Sequence, residues 1–124
     1  MKRLQAMKTG ALLQFSVEGG AIIAGASSPR RAALRRYGAA IGAAFQIADD
    51  LLDAESDAAA LGKRAGKDCA RNKATLVSIL GADGARRELA RLVAEAQTAI
   101  QRSGLGDEGR FLSFAAEYVA SRQN

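Results

Sequence analysis

Apolar residues recur at three- and four-residue steps through most of this chain, and that spacing is the period of an amphipathic helix. The first such segment runs from about Leu4 to Ala26, with an apolar stripe made of Leu12, Phe15, Gly19, Ile22 and Ile23. The residues Ser28 and Pro29 then predict a new helix start, because serine caps helices and proline favours the first helical position. The pattern thus predicts two consecutive helices, the second capped by Ser28.

The second helix is predicted to reach about Glu55. Its apolar face consists of Leu34, Ile41, Phe45, Ala48 and Leu52. The helical period is lost between Ser56 and Arg71, so this stretch is predicted to be a loop. The second helix is therefore expected to be long.

Shorter helical segments complete the pattern. A helix is expected over about 72–80, and after Gly81 the side chain of Asp83 can cap another that ends near Arg102. The stretch SGLGDEG interrupts the period, and a last amphipathic helix contains Phe111, Leu112, Ala115, Tyr118 and Val119. No alternation typical of a β-strand exceeds a few positions, so the sequence predicts an all-α fold.

Composition narrows the classes of partner and the compartment. The net charge is +5 at pH 7, which favours anionic partners such as nucleic acid, lipid or a phosphorylated small molecule. Cys69 is the single cysteine, so no internal disulfide can form and a reducing, cytoplasmic location is expected. No secretory signal or apolar run long enough to cross a membrane is visible. The absence of histidine excludes imidazole bases and histidine metal ligands.

The strongest chemical signal is an acidic stripe inside the second predicted helix. The stripe consists of four residues at steps of three and four, Gln46, Asp49, Asp50 and Asp53. No lysine or arginine lies in the adjacent turns, and like charges at these spacings repel by about 0.2–0.5 kcal/mol per pair. Carboxylate oxygens on a rigid helix suit Mg²⁺, which usually shares its coordination shell with phosphates. The stripe therefore indicates either a magnesium site or a solvated acidic face.

Basic residues that can approach the same region favour the magnesium site. Lys63 and Lys67 follow the acids in the predicted loop, and Lys73 lies at the predicted start of the next helix. Lys8 precedes Thr9 on the first helix. Carboxylates that bind Mg²⁺ beside several lysines would form a site for a diphosphate.

Taken in order, these motifs resemble the C-terminal part of the polyprenyl synthase family, the trans-prenyltransferases that include farnesyl and geranylgeranyl diphosphate synthases. KTGAL resembles the family's lysine–threonine motif, and FQIADDLLD resembles its second aspartate-rich motif. LGK, GKD and NKATL resemble the lysine-bearing loop that follows. The resemblance covers the chain from Leu4 onward and implies the C-terminal half of an isoprenoid-synthase-type helical bundle over residues 1–124.

The resemblance implies a role for each matched residue. Asp49 and Asp50 would bind Mg²⁺ with support from Asp53, and Lys63 would assist them in catalysis. The allylic diphosphate would be contacted by Lys8, Thr9, Gln46, Lys63 and Lys73. The implied reaction is the ionisation of an allylic diphosphate, followed by capture of the carbocation by the alkene of isopentenyl diphosphate.

In the family, a first aspartate-rich motif and the basic residues for isopentenyl diphosphate lie upstream of the part that this chain resembles. We therefore expect the upstream half to be absent and the chain to be inactive in catalysis by itself. Apolar faces that the missing helices would cover should remain exposed. We expect these faces to support a homodimer or association with the missing half.

Two other classes of function fit parts of the sequence. A non-catalytic helical dimerisation module would explain the amphipathic helices, but it leaves the acids and lysines unexplained. A nucleic-acid binder would draw on Arg30, Arg31, Arg35 and Arg36, but aromatic stacking residues are scarce and no recognition motif is present. We therefore expect no nucleic-acid partner.

Overall fold

The computed structural model of the chain describes the backbone of residues 2–61 and 75–122, and the side chains of residues 7–60 and 75–122. The helices in these ranges are α1 (Lys2–Ile23), α2 (Ser28–Leu61), α3 (Leu76–Arg102) and α4 (Arg110–Ser121). A 3-10 turn, Gly106–Gly109, precedes α4. Neither described range contains a strand, so the prediction of an all-α fold is confirmed.

The central element is α2, which packs against α1, α3 and α4. Its buried apolar residues are Leu34, Tyr37, Ala40, Ile41, Ala44, Ile47, Ala48 and Leu51. These positions surround much of the helix, so the single apolar face predicted for α2 is too narrow. Of the predicted face, Phe45 and Leu52 are only partly buried. Ala40 and Ala44 explain part of the difference, because a small side chain lets neighbouring helices approach without adding to an apolar stripe, but the pattern also missed Tyr37, Ile47 and Leu51.

The contact between α1 and α2 is unusually close. A Cβ atom built on Gly42 would lie 2.9 Å from the Cα of Gly10, and one built on Gly38 would lie 2.8 Å from the Cα of Gln14. Both distances are shorter than an ordinary carbon–carbon contact of about 3.5–4.0 Å. The two pairs also show that α1 and α2 are antiparallel, with Gly10 opposite Gly42. Two glycines of α2 therefore fix both the separation and the register of these helices.

Two predicted boundaries need correction. The amide of Arg31 donates to the carbonyl of Ser27 at 2.9 Å, and α2 already begins at Ser28, so Ser28 is a helical residue rather than the cap. The predicted loop from Ser56 is wrong as far as Leu61, because α2 continues through these residues. Its remainder, and the first residues of the helix expected over 72–80, lie outside the described residues.

The predicted break at Gly81 is present as a kink inside α3. Gly81 has φ 73° and ψ 169°, values that are not helical and that glycine adopts without a steric penalty. At the start of α3, Thr75 accepts from the amide of Ser78 and the Ser78 hydroxyl accepts from the amide of Thr75. This reciprocal cap begins the helix, whose end at Arg102 agrees with the prediction.

Side chains of α2 anchor the segment that leads into α4. The buried hydroxyl of Tyr37 donates to the carbonyl of Leu112 at 2.8 Å, and burial raises the pKa of this phenol to about 12. Arg30 donates to the carbonyls of Ser103 and Gly104, both at 3.1 Å. These contacts hold α4 beside α2 and determine where its C-terminal end lies.

Within the described residues, no helix combines the length and the apolar character needed to cross a membrane.

Candidate functional site

The predicted acidic stripe lies on α2 well before the end of that helix. Asp49 and Asp50 are half-buried and Asp53 is exposed, while α2 continues to Leu61. The helix dipole acts mainly within the last turn, so it does not oppose these acids as it would if the helix ended at Glu55. The longer helix thus keeps the dipole at its C-terminal end away from the three acids. It also places the three carboxylates on one rigid element.

Asp49 has a cationic partner that the sequence pattern did not identify. The guanidinium of Arg122, at the C-terminal end of α4, donates to and forms a salt bridge with Asp49 Oδ1. Asp50 and Asp53 are also engaged in interactions of their own. The expectation that nearby charge does not balance the stripe is therefore wrong for Asp49. No local motif could have revealed the pair, because Arg122 is far along the chain from Asp49.

The aromatic ring of Phe45 contacts the guanidinium of this pair. The guanidinium carbon of Arg122 lies 4.5 Å from the centre of the Phe45 ring, within the range of a cation–π contact. Phe45 precedes Asp49 by one helical turn, so the two residues present their side chains to the same guanidinium. The Nε atom of Arg122 is buried and has no hydrogen-bond partner among the described residues. Arg122 is therefore held in place, but its hydrogen-bonding capacity is only partly used.

The register between α1 and α2 brings the lysine–threonine pair to the level of Gln46. With Gly10 opposite Gly42, Lys8 and Thr9 lie within about 5 Å of Gln46 along the helix axis. Asp49 is then about 8 Å from the level of Lys8. These residues therefore lie at the same end of the helix pair.

Lys8 and Thr9 differ in how they face α2. Lys8 is exposed and heads the stripe of α1 that continues through Leu12, Phe15, Gly19 and Ile22. Thr9 and Gln46 are half-buried. A ligand would therefore meet Lys8 from the exposed side of α1, about 8 Å along the helix axis from the level of Asp49.

Two predicted site residues, Lys63 and Lys73, lie outside the described residues, as do Lys67 and Cys69. Their proposed contacts with a diphosphate remain predictions from the sequence. The part of the site that the structure describes consists of Lys8, Thr9, Gln46, Asp49, Asp50 and Asp53, together with Arg122.

The donor set agrees with the coordination habits of magnesium. Among the described side chains, no three acidic or cysteine residues converge closely enough to enclose a metal ion. Mg²⁺ does not need such a cage, because it retains several waters and is usually bound by one or two carboxylates together with substrate phosphates. Asp49 and Asp50 can provide those carboxylates. The residues therefore fit a magnesium ion that protein carboxylates and substrate phosphates bind together.

Two of the four arginines near the start of α2, Arg30 and Arg35, form contacts that hold the fold together. Arg30 donates to Ser103 and Gly104, as described above, and Arg35 forms a salt bridge with Glu18 on α1. The hydrogen bond from Arg35 lowers the pKa of the Glu18 carboxyl. Residues that supported the nucleic-acid alternative therefore contact the protein itself, which weakens that alternative.

Comparison with known proteins places this geometry in context. A family model described as polyprenyl synthetase matches residues 2–103. The chain is 38% identical over 117 residues to the farnesyl diphosphate synthase of Geobacillus stearothermophilus, covering 94% of this chain and 39% of that protein. It is 38% identical over 125 residues to the farnesyl diphosphate synthase of Escherichia coli strain K12, covering 98% of this chain and 42% of that protein. For the chloroplastic geranylgeranyl pyrophosphate synthase of Catharanthus roseus the identity is 38% over 117 residues, covering 94% and 32%. The chain thus spans less than half of each of these relatives.

Proposed function

Because the chain belongs to the polyprenyl synthetase family, we propose that it forms the allylic-diphosphate half of a prenyltransferase site and binds that substrate with Mg²⁺. The observation that carries the proposal is the placement of Asp49 and Asp50 on α2 at the end of the helix pair where Lys8, Thr9 and Gln46 also lie. Carboxylates for a divalent cation and a lysine for a phosphate oxygen are the groups that a metal diphosphate requires.

In this proposal each described residue has a definite task. Asp49 and Asp50 bind the cation, directly or through water, and Asp53 supports them. Lys8, Thr9 and Gln46 contact the diphosphate, and Lys63 and Lys73 add positive charge to it. When bound, Mg²⁺ would stabilise the negative charge of the departing diphosphate. The lysines would stabilise the same charge as the allylic carbon–oxygen bond breaks.

The proposed activity of the whole protein is condensation of an allylic diphosphate, such as dimethylallyl or geranyl diphosphate, with isopentenyl diphosphate in isoprenoid biosynthesis. The relatives named above are farnesyl and geranylgeranyl diphosphate synthases, and their names support this class of reaction. We propose that the chain alone binds the allylic substrate without completing the reaction, because it contains a single DDxxD motif. The cytoplasmic location expected from composition belongs to the same proposal.

Association with another polypeptide is a second part of the proposal. The outer surface of α1 carries large apolar side chains that are more than half exposed, namely Met7, Leu12, Phe15, Ile22 and Ile23. A continuous apolar surface of this kind is unusual on a monomer and typical of an interface. We propose that this surface packs against a second copy of the chain or against the remainder of a family domain. It would also serve the alternative function, a helical dimerisation module.

The substrate proposal can be tested by isothermal titration calorimetry with a non-ionising thio-analogue of geranyl diphosphate, with and without Mg²⁺. We expect binding that depends on Mg²⁺ and is lost in Asp49→Asn/Asp50→Asn. The matched control is Asp57→Asn/Asp107→Asn, which changes the charge equally at exposed acids outside the site and should bind as the wild type does. Binding of the analogue that does not depend on Mg²⁺, or an equal loss of binding in both double variants, would contradict the proposal. Absence of binding by a folded dimer would favour the dimerisation module.

A further inference from the structure

We infer that Arg122 is a positioning residue for Asp49, which neutralises this carboxylate in the metal-free protein and competes with a divalent cation for it. The inference rests on the magnesium site proposed above. It adds to that site a residue from the opposite end of the chain, delivered by α4 rather than by any of the sequence motifs.

Without a metal, Asp49 lies among like charges and beside one cation. Asp49, Asp50 and Asp53 are at helical spacings where like charges repel. The guanidinium of Arg122 contacts Asp49 directly, and 23% of the Arg122 side chain is exposed, against 49% for Asp49. A pair that is partly shielded from water retains more of its attraction than a fully exposed pair. Arg122 therefore offsets part of the repulsion when no divalent cation is present.

Contacts of α4 and of the Arg122 side chain fix the position of its guanidinium. The Phe45 ring lies beneath its guanidinium, and Tyr37 anchors the start of α4 by donating to Leu112. The side chain thus approaches Asp49 from a fixed direction. Its contact uses one terminal nitrogen, while Nε is buried without a partner in the described part of the chain. The pair lacks the two parallel hydrogen bonds that make arginine–carboxylate pairs strongest, so a second cation can compete for Asp49.

A cation that binds to Asp49 changes the situation of Arg122. A metal ion bound to the Asp49 carboxylate would lie within a few ångströms of the guanidinium, and the two positive charges would repel. Binding therefore requires Arg122 to move away or to share the carboxylate. Removing the charge of Arg122 should lower the stability of the metal-free protein and should tighten the binding of the cation. A residue with a purely structural role would produce the first effect without the second.

The test compares the thermal midpoint and the Mg²⁺ affinity of the wild type with those of Arg122→Gln, using MgCl₂ alone as the ligand. We expect the metal-free midpoint to fall by a few °C and the Mg²⁺ dissociation constant to decrease about two- to fivefold, the factor set by an ion pair of this exposure. Arg122→Lys keeps the charge and should restore much of the wild-type behaviour. Arg86→Gln is the matched control, since Arg86 of α3 pairs at 2.7 Å with Glu55, which lies on α2 as Asp49 does, and it should leave the Mg²⁺ affinity unchanged.

The outcomes separate this inference from the proposed function. If Mg²⁺ binds the wild type and Arg122→Gln equally well, the inference fails while the metal site stands. If Mg²⁺ binds neither chain, the proposed site fails and the inference fails with it. In an Asp49→Asn background, Arg122→Gln should no longer lower the metal-free midpoint. A loss of the same size in that background would mean that Arg122 acts through Phe45 alone, which would also overturn the inference.

Discussion

The close contact between α1 and α2 makes a sharp prediction for the substitution Gly42→Ala. The added methyl group would lie 2.9 Å from the Cα and 3.3 Å from the carbonyl oxygen of Gly10, so the α1 backbone must move away. Introducing an extra carbon into a packed interface costs about 1–3 kcal/mol. The better helix propensity of alanine returns about 1 kcal/mol. We therefore expect Gly42→Ala to lower the free energy of unfolding by about 1 kcal/mol.

Gly20→Ala provides the matched control. Gly20 is also inside a helix, but a Cβ atom built on it has no neighbour within 4 Å. The same chemical change should therefore raise the free energy of unfolding by about 0.5–1 kcal/mol. Urea denaturation followed by circular dichroism at 222 nm measures both variants, provided that the slopes agree. Equal stabilisation of the two variants would refute the idea that Gly42 fixes the distance between the helices.

The same pair of variants connects packing to the site. Since Gly10 lies just after Thr9, displacement of α1 also displaces the lysine–threonine pair relative to Gln46. Gly42→Ala should therefore weaken Mg²⁺-dependent binding of the geranyl thio-analogue several-fold, and Gly20→Ala should leave it unchanged.

Three further predictions concern the anchors and the exposed surface. At pH 7, Tyr37→Phe should lower the free energy of unfolding by about 1 kcal/mol, since it removes the hydrogen bond to Leu112. Because folding raises the pKa of Tyr37 from 10.0 to about 12, its protonated form stabilises the fold fully below pH 10. This stabilisation is lost as the pH rises from 10 through about 12, so the stability advantage of the wild type over the variant should shrink in that window, and parallel curves would be a contrary result. Arg30→Ala removes the donors to Ser103 and Gly104 and should destabilise the chain by about 1–3 kcal/mol in thermal unfolding, whereas Arg102→Ala should have little effect. Phe15→Ser/Ile22→Ser should reduce self-association measured by light scattering, and Phe114→Ser on α4 should not; equal masses for all three chains would count against an interface on α1.

The sequence pattern predicted the helices wherever one face is buried and another is exposed. The end of α3 at Arg102, the break at Gly81 and the last helix were predicted on this basis. The pattern failed for the last turns of α2, where every described side chain from Asp53 onward is exposed. These turns bury no described side chain and therefore have no apolar stripe, although the alanines there favour helical backbone. The apolar stripe of α1, which the same period predicted, is largely exposed, so periodicity indicates a helix with an apolar face without showing that this face is buried within the chain.

The site was predictable to the extent that it depends on positions close together in sequence. The spacing of Asp49, Asp50 and Asp53 on one side of a helix follows from the helical period alone. The level of Lys8 relative to Gln46 depends on the glycine contact between α1 and α2, which no local pattern specifies. The pairing of Arg122 with Asp49 depends further on the position of α4. Long-range contacts of this kind require the packing of three helices to be known first.

One contact near each end of α4 fixes how many residues can lie between them. The beginning of α4 contacts Tyr37 and its end contacts Asp49, so α4 runs parallel to α2. The stretch of α4 from Leu112 to Arg122 is about 15 Å long, and the stretch of α2 from Tyr37 to Asp49 is about 18 Å long. Inserting one residue between Leu112 and Arg122 would move the guanidinium about 1.5 Å along the axis and turn it by about 100°, away from Phe45 and the carboxylate. A seven-residue insertion would restore the direction but overshoot the site by about 10 Å. A version of this helix that keeps both contacts must therefore keep the number of residues between Leu112 and Arg122.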